Sequence, residues 1–459
     1  MSLRSISPID GRYAKSAESL SSVFSECGLE RYRVKMECEY LIALSKLNIG
    51  LRKLTPKEEA TLRGFYENFS DKDSELISDI EWKGYKNIKA TDHDVKAVEY
   101  FLKLKCADTT LKDVTEWIHF ALTSEDTNNI SYALMLREGS NVLLSKLKEV
   151  VSVIENFAKE YKKLPMLART HGQPASPTTF GKEFKVFAER LKRQIKQLEN
   201  HTILCKLNGA TGNYNAHTAA FPKVDWRKFS KNFIAGLSNL EKSGLSLEAN
   251  LYTTQIEPHD SYIELFDCIR RINTILIGFN QDMWRYISDE WITQRPVEGA
   301  VGSSTMPHKV NPIKFENSEG NLGLANALFE FFARKLPISR LQRDLTDSTV
   351  QRNFGGAFAH SLIAYNYLLN GLSRISVNEN KVKEALLNHP EVVTEAVQTV
   401  LRTLGVPVPY EKLKELSRGK KLTLADIHTF IDGLQIDEKS KKRLKDITPL
   451  NYTGLASSL

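Results

Sequence analysis

Three segments of the sequence bring together the residue types that acid–base chemistry and anion binding require. The run Gly302–Pro312 reads GSSTMPHKVNP and combines small residues, a pair of hydroxyls, a cation and an amide. His171 lies in a second polar segment, and an imidazole can gain and lose a proton near neutral pH. In the third, Thr123–Asp126, hydroxyls precede acidic residues, which is typical of a helix N-terminus and also favours bound anions. A single loop histidine is more often structural, so these residue types alone do not assign a reaction.

The elements that must position these segments are long helices. Apolar residues recur with alternating steps of four and three in five stretches, which cover residues 143–161, 184–198, 265–283, 322–336 and 358–372. This spacing is typical of helices packed side by side along their length, and no comparable run alternates with a period of two. Around residues 265–287, apolar side chains occupy more than one helix face, as they do at the centre of a bundle or between subunits.

Three long segments rich in Gly, Pro, Ser and Asn interrupt this pattern, namely Leu164–Gly181, Asn208–Val224 and Thr293–Lys314. Each is either a plain helix-breaking connection or a functional loop. Shorter helical patterns lie on both sides of the long helices. We therefore predict an all-α protein with an N-terminal helical domain (1–116), a central bundle of about five long helices (117–373) and a C-terminal domain of shorter helices (374–459).

Composition argues against several classes of protein. The five cysteines are odd in number, far apart and never spaced as C-x-x-C, which argues against disulfides and a zinc site. The net charge of +7 comes from 63 basic and 56 acidic residues that are mostly interleaved, so nucleic acid is not expected as a partner, whereas a small anionic substrate fits. No stretch has the roughly 18 apolar residues of a membrane-spanning helix, and the start lacks the apolar core of a signal peptide. We expect a cytoplasmic protein.

The run from Gly302 to Pro312, followed by Glu316, is similar to the signature loop shared by fumarase, aspartase, argininosuccinate lyase and adenylosuccinate lyase. The resemblance implies that Ser303 is the general base that removes a proton next to a carboxylate, and that Lys309 and Asn311 bind this carboxylate. These residue types fit, because a serine hydroxyl is a weak base unless fixed positive charge and N–H groups surround it. Lys309 would also stabilise the carbanion as its charge spreads into the carboxylate.

The other two segments carry the same resemblance. Arg169–Pro174 (RTHGQP) is similar to the family segment whose histidine protonates the leaving nitrogen, which implies that His171 is the general acid. Thr123 and Ser124 match the family turn whose hydroxyls bind the carboxylates of the part released as fumarate. This role is compatible with a helix N-terminus, which is itself a favourable anion site.

Further segments along the whole chain resemble the adenylosuccinate lyases, in their longer bacterial-type form. They are Ser7–Tyr13, His93–Tyr100, Asn208–His217, Tyr252–Asp260 and Ser339–Arg352. The resemblance implies phosphate and ribose contacts from Arg12, Tyr13, Arg343, Ser348 and Arg352, and base and succinyl contacts from His93, Asp94 and Gln255. Guanidinium groups suit this substrate because they bind phosphate and carboxylate in a bidentate geometry.

One position departs from the family pattern. The resemblance leads us to expect Asn-His-Asp, whereas this chain reads Asp92-His93-Asp94. An ionised carboxylate cannot donate the hydrogen bond of an amide. Either Asp92 does not touch the substrate, or local charges compensate.

The resemblance implies a reaction, an assembly and no metal or organic cofactor. The reaction would release fumarate from adenylosuccinate to give AMP, and from the succinylated aminoimidazole carboxamide ribotide (SAICAR) to give AICAR. The assembly would be a homotetramer in which three subunits build each active site, with the His171 and Ser303 regions supplied by different chains. Two alternatives stay open: another lyase of the superfamily such as argininosuccinate lyase, which should lack the phosphate-binding arginines, and a non-catalytic structural protein, which would be easier to accept if His171 or Ser303 were altered.

Overall fold

A computed structural model describes residues 4–240, 244–295, 306, 310–407, 409–411, 414 and 422–459. The helices of the N-terminal third are α1 (Ala14–Ala17), α2 (Ser21–Phe24), α3 (Glu26–Leu44), α4 (Pro56–Glu67), α5 (Asp71–Trp82), α6 (Asp94–Ala107) and the long α7 (Ser124–Glu160). The middle of the chain adds α8 (Phe180–Glu199), α9 (Asn215–Ala220), α10 (Trp226–Leu240), α11 (Asp260–Ser288), α12 (Ile313–Lys335), α13 (Thr346–Gln351) and α14 (Phe354–Leu372). The C-terminal part adds α15 (Glu379–Leu387), α16 (Thr394–Thr403), α17 (Leu424–Asp432) and α18 (Glu438–Lys445), and short 3-10 helices cover Glu18–Leu20, Lys112–Trp117 and Pro390–Val393.

The five stretches with alternating steps of four and three fall on α7, α8, α11, α12 and α14, to within one residue at their ends. Their repeated apolar side chains are buried, as shown by Leu147, Leu191, Ile272 and Leu362. A continuous apolar stripe of this kind stabilises a long helix only when another helix covers it. The all-α prediction is therefore confirmed. Among the described residues, we find no helix with both the length and the apolar character needed to cross a membrane.

Short paired strands accompany the helices. Strands β1 (Pro165–Thr170) and β2 (Gln173–Thr179) pair antiparallel, β3 (Thr202–Cys205) and β4 (Ser246–Ala249) pair parallel, and β5 (Ile292–Gln294) and β6 (Ile375–Val377) pair antiparallel. The segment Leu164–Gly181, predicted as an irregular connection, is thus mainly a hairpin. The second predicted connection, Asn208–Val224, contains the short helix α9. The third, Thr293–Lys314, lies mostly outside the described residues.

One compact unit of the chain comprises Met1–Leu147, Arg193–Thr274 and Gly320–Asn366. Its core is rich in aromatic rings: the centroid of Phe266 lies 5.4 Å from that of Phe329 and 5.0 Å from that of Phe354. Aromatic rings in this arrangement contribute burial and favourable edge contacts. This unit contains the N-termini of α6 and α7, where several of the predicted substrate-binding residues lie.

A second compact unit comprises Lys148–Lys192, Ile275–Glu319 and Tyr367–Leu459. Its packing includes Phe184, whose ring centroid lies 5.3 Å from that of Phe180 and 5.7 Å from that of Phe279. The hairpin β1–β2 and the pair β5–β6 belong to this unit. The division of the chain into three domains at residues 116 and 373 stays a prediction.

Candidate active site

His93 and Ser124 meet at the N-termini of two helices. His93 caps α6, because its Nδ1 accepts a hydrogen bond of 3.3 Å from the backbone N–H of Lys96. Its Nε2 lies 3.2 Å from Oγ of Ser124, the first residue of α7. Since Nδ1 accepts a hydrogen bond, a neutral imidazole carries its proton on Nε2. This N–H group then donates a hydrogen bond to Oγ of Ser124. Two residues predicted to contact the substrate are thus in direct contact and held in a defined orientation.

Asp94 lies between two arginines. Its Oδ2 accepts hydrogen bonds of 2.7 Å from Nη2 of both Arg33 and Arg352, and its Oδ1 accepts one of 2.8 Å from the N–H of Val95. Although burial acts in the opposite direction, the Arg33 guanidinium, the Val95 N–H and the Arg352 guanidinium hold the pKa of Asp94 below its usual value. Arg352 also pairs with Glu26. Asp94 therefore anchors Arg352, one of the residues predicted to bind phosphate.

Arg33 was missed by the sequence analysis. It lies in the middle of α3, its side chain is 2% exposed, and its Nε donates to Oδ1 of Asn128 at 2.9 Å. Nothing in its local pattern distinguishes it from the partly exposed Arg31 two residues before it. A buried arginine is nevertheless expected to have a carboxylate partner, so its burial would have pointed to Asp94.

The Thr123–Ser124 turn is held by a buried ion pair. Oδ2 of Asp126 accepts from the N–H of Thr123 at 2.9 Å, and Oδ1 accepts from Nζ of Lys206 at 2.7 Å. The side chains of Asp126 and Lys206 are both fully buried. Asp126 also accepts from the backbone N–H groups of Asn208 at 2.9 Å and Gly209 at 3.2 Å. The helix N-terminus predicted here is confirmed, and the sequence analysis missed the lysine that fixes it.

Arg343 contacts two buried carboxylates. Its Nη2 lies 3.1 Å from Oε2 of Glu125 and 3.7 Å from Oδ1 of Asp347. Gln255 is half-buried beside the same segment, where its N–H donates to the carbonyl of Gln342 at 3.3 Å. Because Arg343 contacts Glu125, it lies near the N-terminus of α7. The predicted phosphate contact of Arg343 and the predicted carboxylate contact of Ser124 therefore come from neighbouring positions.

A cavity of about 910 Å³ runs past His93, Asp94, Ser348 and Arg352. Its walls also carry six other acidic residues, which are Glu26, Glu30, Glu75, Asp79, Glu81 and Asp92. Asp92 is exposed, with φ of +48°, a conformation that Asn and Asp tolerate better than most residues. Burial raises the pKa of Glu30 to about 7. Arg352 and Lys83 thus provide positive charge in a cavity whose walls are mainly acidic.

A second cavity of about 650 Å³ shares Arg352 with the first. It is lined by the N-terminal segment, including Ser7 and Asp10, and by the start of α14, including Gly355. Arg12 is exposed and Tyr13 half-buried, and they lie two and three residues after Asp10. The structure therefore brings Arg352 next to the N-terminal segment in which Arg12 and Tyr13 were predicted to bind the nucleotide.

His171 lies in the second unit, at the tip of the hairpin β1–β2. Thr170 pairs with Gln173, so the turn consists of His171 and Gly172, with φ of +53° and +75°. Positive φ at both positions is typical of a type I′ hairpin turn. His171 is exposed, and Arg169 Nη1 donates to the carbonyl of Gly172 at 3.2 Å.

Three predicted residues remain, which are Ser303, Lys309 and Asn311. Ser303 and Lys309 lie outside the described residues, and Asn311 is half-buried just before α12. Among the described residues, ten of the predicted positions, from Arg12 to Arg352 in sequence, belong to the first unit, and His171 and Asn311 belong to the second.

Comparison with known proteins gives matches over most of the chain. A family model described as Lyase matches residues 11–326, and one described as Adenylosuccinate lyase C-terminal matches residues 339–453. The chain is 48% identical to an adenylosuccinate lyase of Escherichia coli, with 100% of this chain and 98% of the relative covered. It is 50% identical to an adenylosuccinate lyase of Dictyostelium discoideum, with 99% and 97% covered. The solved structure of a fumarate lyase from a Mesorhizobium species matches with a TM-score of 0.74 at 16% identity over 96% of both chains, so the two share a fold.

Proposed function

This chain belongs to the adenylosuccinate lyase family of carbon–nitrogen lyases, and from that premise we propose that it releases fumarate from adenylosuccinate, leaving AMP. The same elimination converts SAICAR to AICAR, so the enzyme acts twice in purine nucleotide biosynthesis. The observation that carries the proposal is similarity over the full length of the chain, including both family models. The contacts of His93 with Ser124 and of Asp94 with Arg352 support it, because they join predicted site residues that are far apart in sequence.

The elimination proceeds by general acid–base catalysis. Ser303 removes a proton from the succinyl carbon next to a carboxylate, and the electron pair of that C–H bond stays on carbon as a carbanion. Lys309 and Asn311 bind the carboxylate into which this charge spreads. The carbanion then forms the C=C bond of fumarate as the neighbouring C–N bond breaks, and the leaving nitrogen takes a proton from His171. No metal or organic cofactor is required for these steps.

The first unit holds the nucleotide in this proposal. Arg343 and Arg352 bind the phosphate with Arg12, and Ser348 and Tyr13 bind the phosphate and ribose. His93, Asp94 and Gln255 contact the base and succinyl group, and Thr123 and Ser124 bind the fumarate-forming carboxylates at the N-terminus of α7. Arginine suits these contacts because its charge does not titrate and its donors match phosphate geometry.

The active protein is a homotetramer in which three subunits contribute to each site. Large apolar side chains exposed on the long helices support subunit contacts: Trp284 on α11 is 45% exposed, and Leu324 and Phe331 on α12 are 55% and 46% exposed. The exposed position of His171 on a hairpin tip suits a residue that serves the site of a neighbouring chain. The five free cysteines are consistent with the reducing cytoplasm, where we place the enzyme.

The function is tested by following the ultraviolet absorbance of purified protein mixed with adenylosuccinate. Parallel samples contain SAICAR, argininosuccinate or fumarate, and a Ser303→Ala variant is run beside each. Turnover of the two purine substrates alone, lost in the variant, is the expected result. Turnover of argininosuccinate instead would assign another lyase activity, and a folded protein inactive on every substrate would refute the proposed function.

A further inference from the structure

Four polar side chains form a buried cluster behind the predicted phosphate site. Arg343 Nη2 lies between Oε2 of Glu125, at 3.1 Å, and Oδ1 of Asp347, at 3.7 Å. The carboxylates are 2% and 5% exposed, and the arginine side chain is 15% exposed. Buried His259 completes the group, because ligand-forming atoms of Glu125, His259 and Asp347 lie within 4.8 Å of one another. The guanidinium therefore provides the positive charge in a place where two carboxylates and an imidazole converge.

The charges of this cluster do not balance when both acids are ionised. Oε1 of Glu125 and Oδ2 of Asp347 are buried and find no hydrogen-bond donor among the described residues. His259 adds no positive charge, since burial lowers its pKa to about 4 and its Nε2 accepts from Nε2 of Gln351 at 3.2 Å. Two ionised carboxylates would leave one negative charge uncompensated in a buried site, which is strongly unfavourable. A single proton on the pair removes that charge.

Groups around Glu125 and Asp347 shift the pKa values of these two acids in both directions. Burial raises the pKa of Glu125 to about 8; Arg343 opposes this rise, Asp347 adds to it, and Lys206 and Asn128 oppose it. Burial also raises the pKa of Asp347, Arg343 and the N–H of Ser348 oppose the rise, and Asp344 adds to it. The buried phenols of Tyr132 and Tyr262 face the same region and, as neutral groups, add no charge. Lys335 acts on His259 from the end of α12.

We propose that Glu125 and Asp347 are positioning residues that hold the guanidinium of Arg343 toward the substrate phosphate and carry one proton between them. With that proton, one carboxylate is ionised and its negative charge cancels the positive charge of Arg343. The cluster is then neutral and does not repel the phosphate. Without it the cluster carries one net negative charge and repels the anionic substrate. The inference rests on the proposed function, which places Arg343 at the phosphate.

The sign of the pH effect follows from this charge count. Burial raises the pKa of Glu125 to about 8 and that of Asp347 above its usual value, so the pair keeps its proton near neutral pH and loses it as the pH rises, which weakens binding. We therefore expect KM for adenylosuccinate to rise by roughly tenfold between pH 7 and pH 9.5, the effect of one unit charge in a partly solvated site. The substrate phosphate and carboxylates are already ionised throughout this range, so they do not contribute the change.

Two single variants remove the imbalance independently. Glu125→Gln leaves Asp347 with Arg343, and Asp347→Asn leaves Glu125 with Arg343. Each variant therefore has one carboxylate to pair with one guanidinium. We expect KM to be flat from pH 7 to pH 9.5 in both. Arg343→Met should raise KM at every pH, because the substrate phosphate loses the guanidinium that the proposed function assigns to it. The matched control is Glu58→Gln, because Glu58 is a buried carboxylate whose partner, the partly exposed Arg52, is not a predicted site residue; this variant should keep the rise in KM.

The experiment measures kcat and KM for adenylosuccinate against pH with the full-length tetramer, and the affinity for AMP by calorimetry at the same pH values. AMP binding reports the phosphate contact without chemistry, so a variant with impaired turnover still gives an answer. A rise in KM that persists in Glu125→Gln and Asp347→Asn would overturn the inference, as would no rise in the unsubstituted protein. Absence of adenylosuccinate turnover in the unsubstituted protein would instead refute the proposed function.

Discussion

Replacing Lys206 with methionine tests how far the Thr123–Ser124 turn depends on a buried charge. Nζ of Lys206 donates to Oδ1 of Asp126 and to the carbonyl of Gly209, both at 2.7 Å, and neither charged side chain is exposed. The methionine keeps most of the side-chain volume and removes both hydrogen bonds. Breaking one partner of a buried ion pair costs about 3–5 kcal/mol of stability, because the other charge stays buried without it.

The expected loss of stability differs between Lys206→Met and Asp126→Asn, because the partner that stays buried has different contacts in each variant. After Lys206→Met, Asp126 still accepts from the backbone N–H groups of Thr123, Asn208 and Gly209 and lies in the first turn of α7, which favours negative charge. We therefore expect about 3 kcal/mol, the lower limit. Asp126→Asn removes the negative charge beside the buried ammonium and turns amide hydrogens toward backbone donors, so we expect about 5 kcal/mol.

The measurement is urea unfolding of both variants at one fixed protein concentration, because the midpoint of an assembled protein depends on concentration. Lys83→Met serves as the control, since Lys83 pairs with Asp79 on the surface and its loss should give no measurable change. KM for adenylosuccinate should also rise in Lys206→Met, because the turn that is predicted to bind the substrate carboxylates loses its support. The reasoning is refuted if Lys206→Met behaves like the surface control, or if it destabilises the protein more than Asp126→Asn does.

Three further predictions follow from other parts of the site. Inactive His171→Ala and Ser303→Ala proteins, mixed under conditions of demonstrated subunit exchange, should regain activity through hybrid tetramers; no recovery would count against shared sites. Gly172→Ala should destabilise the hairpin by about 1 kcal/mol and lower kcat more than it changes KM, because φ at this position is +75° while no atom lies within 4 Å of the added methyl group. A normal kcat with a normal thermal midpoint would contradict this. Arg33→Met should lower the thermal midpoint, with a loss of about 3 kcal/mol in stability, and should raise KM, because Arg352 is then the one arginine of the described residues still paired with Asp94. An unchanged KM would show that Asp94 does not need its buried partner.

Much of the fold was determined by local pattern. The alternating steps of four and three predicted α7, α8, α11, α12 and α14, because a helix that buries one stripe must repeat apolar residues at that spacing whatever it packs against. The Thr123–Asp126 segment was recognised as a helix N-terminus from its residue types, and α7 begins there. The histidine hairpin was not predicted as a hairpin, since strands β1 and β2 are short, contain prolines and do not alternate apolar with polar residues. Their pairing depends on the backbone conformation of His171 and Gly172.

The sequence by itself therefore determined the long helices of the bundle and the family, and it supplied the predictions of site residues, because each of these rests on a contiguous run. Only the tertiary structure decided which ionisable residues are buried and what they contact. The sequence alone does not distinguish an exposed lysine or glutamate from a buried one. Lys83 is on the surface, whereas Lys206 and Glu125 are buried. The difference arises from the segments that pack over it, which are distant in sequence. The pairings of Asp94 with Arg33 and Arg352, and of Glu125 and Asp347 with Arg343, exist only once α3, α6, α7 and α13 are brought together.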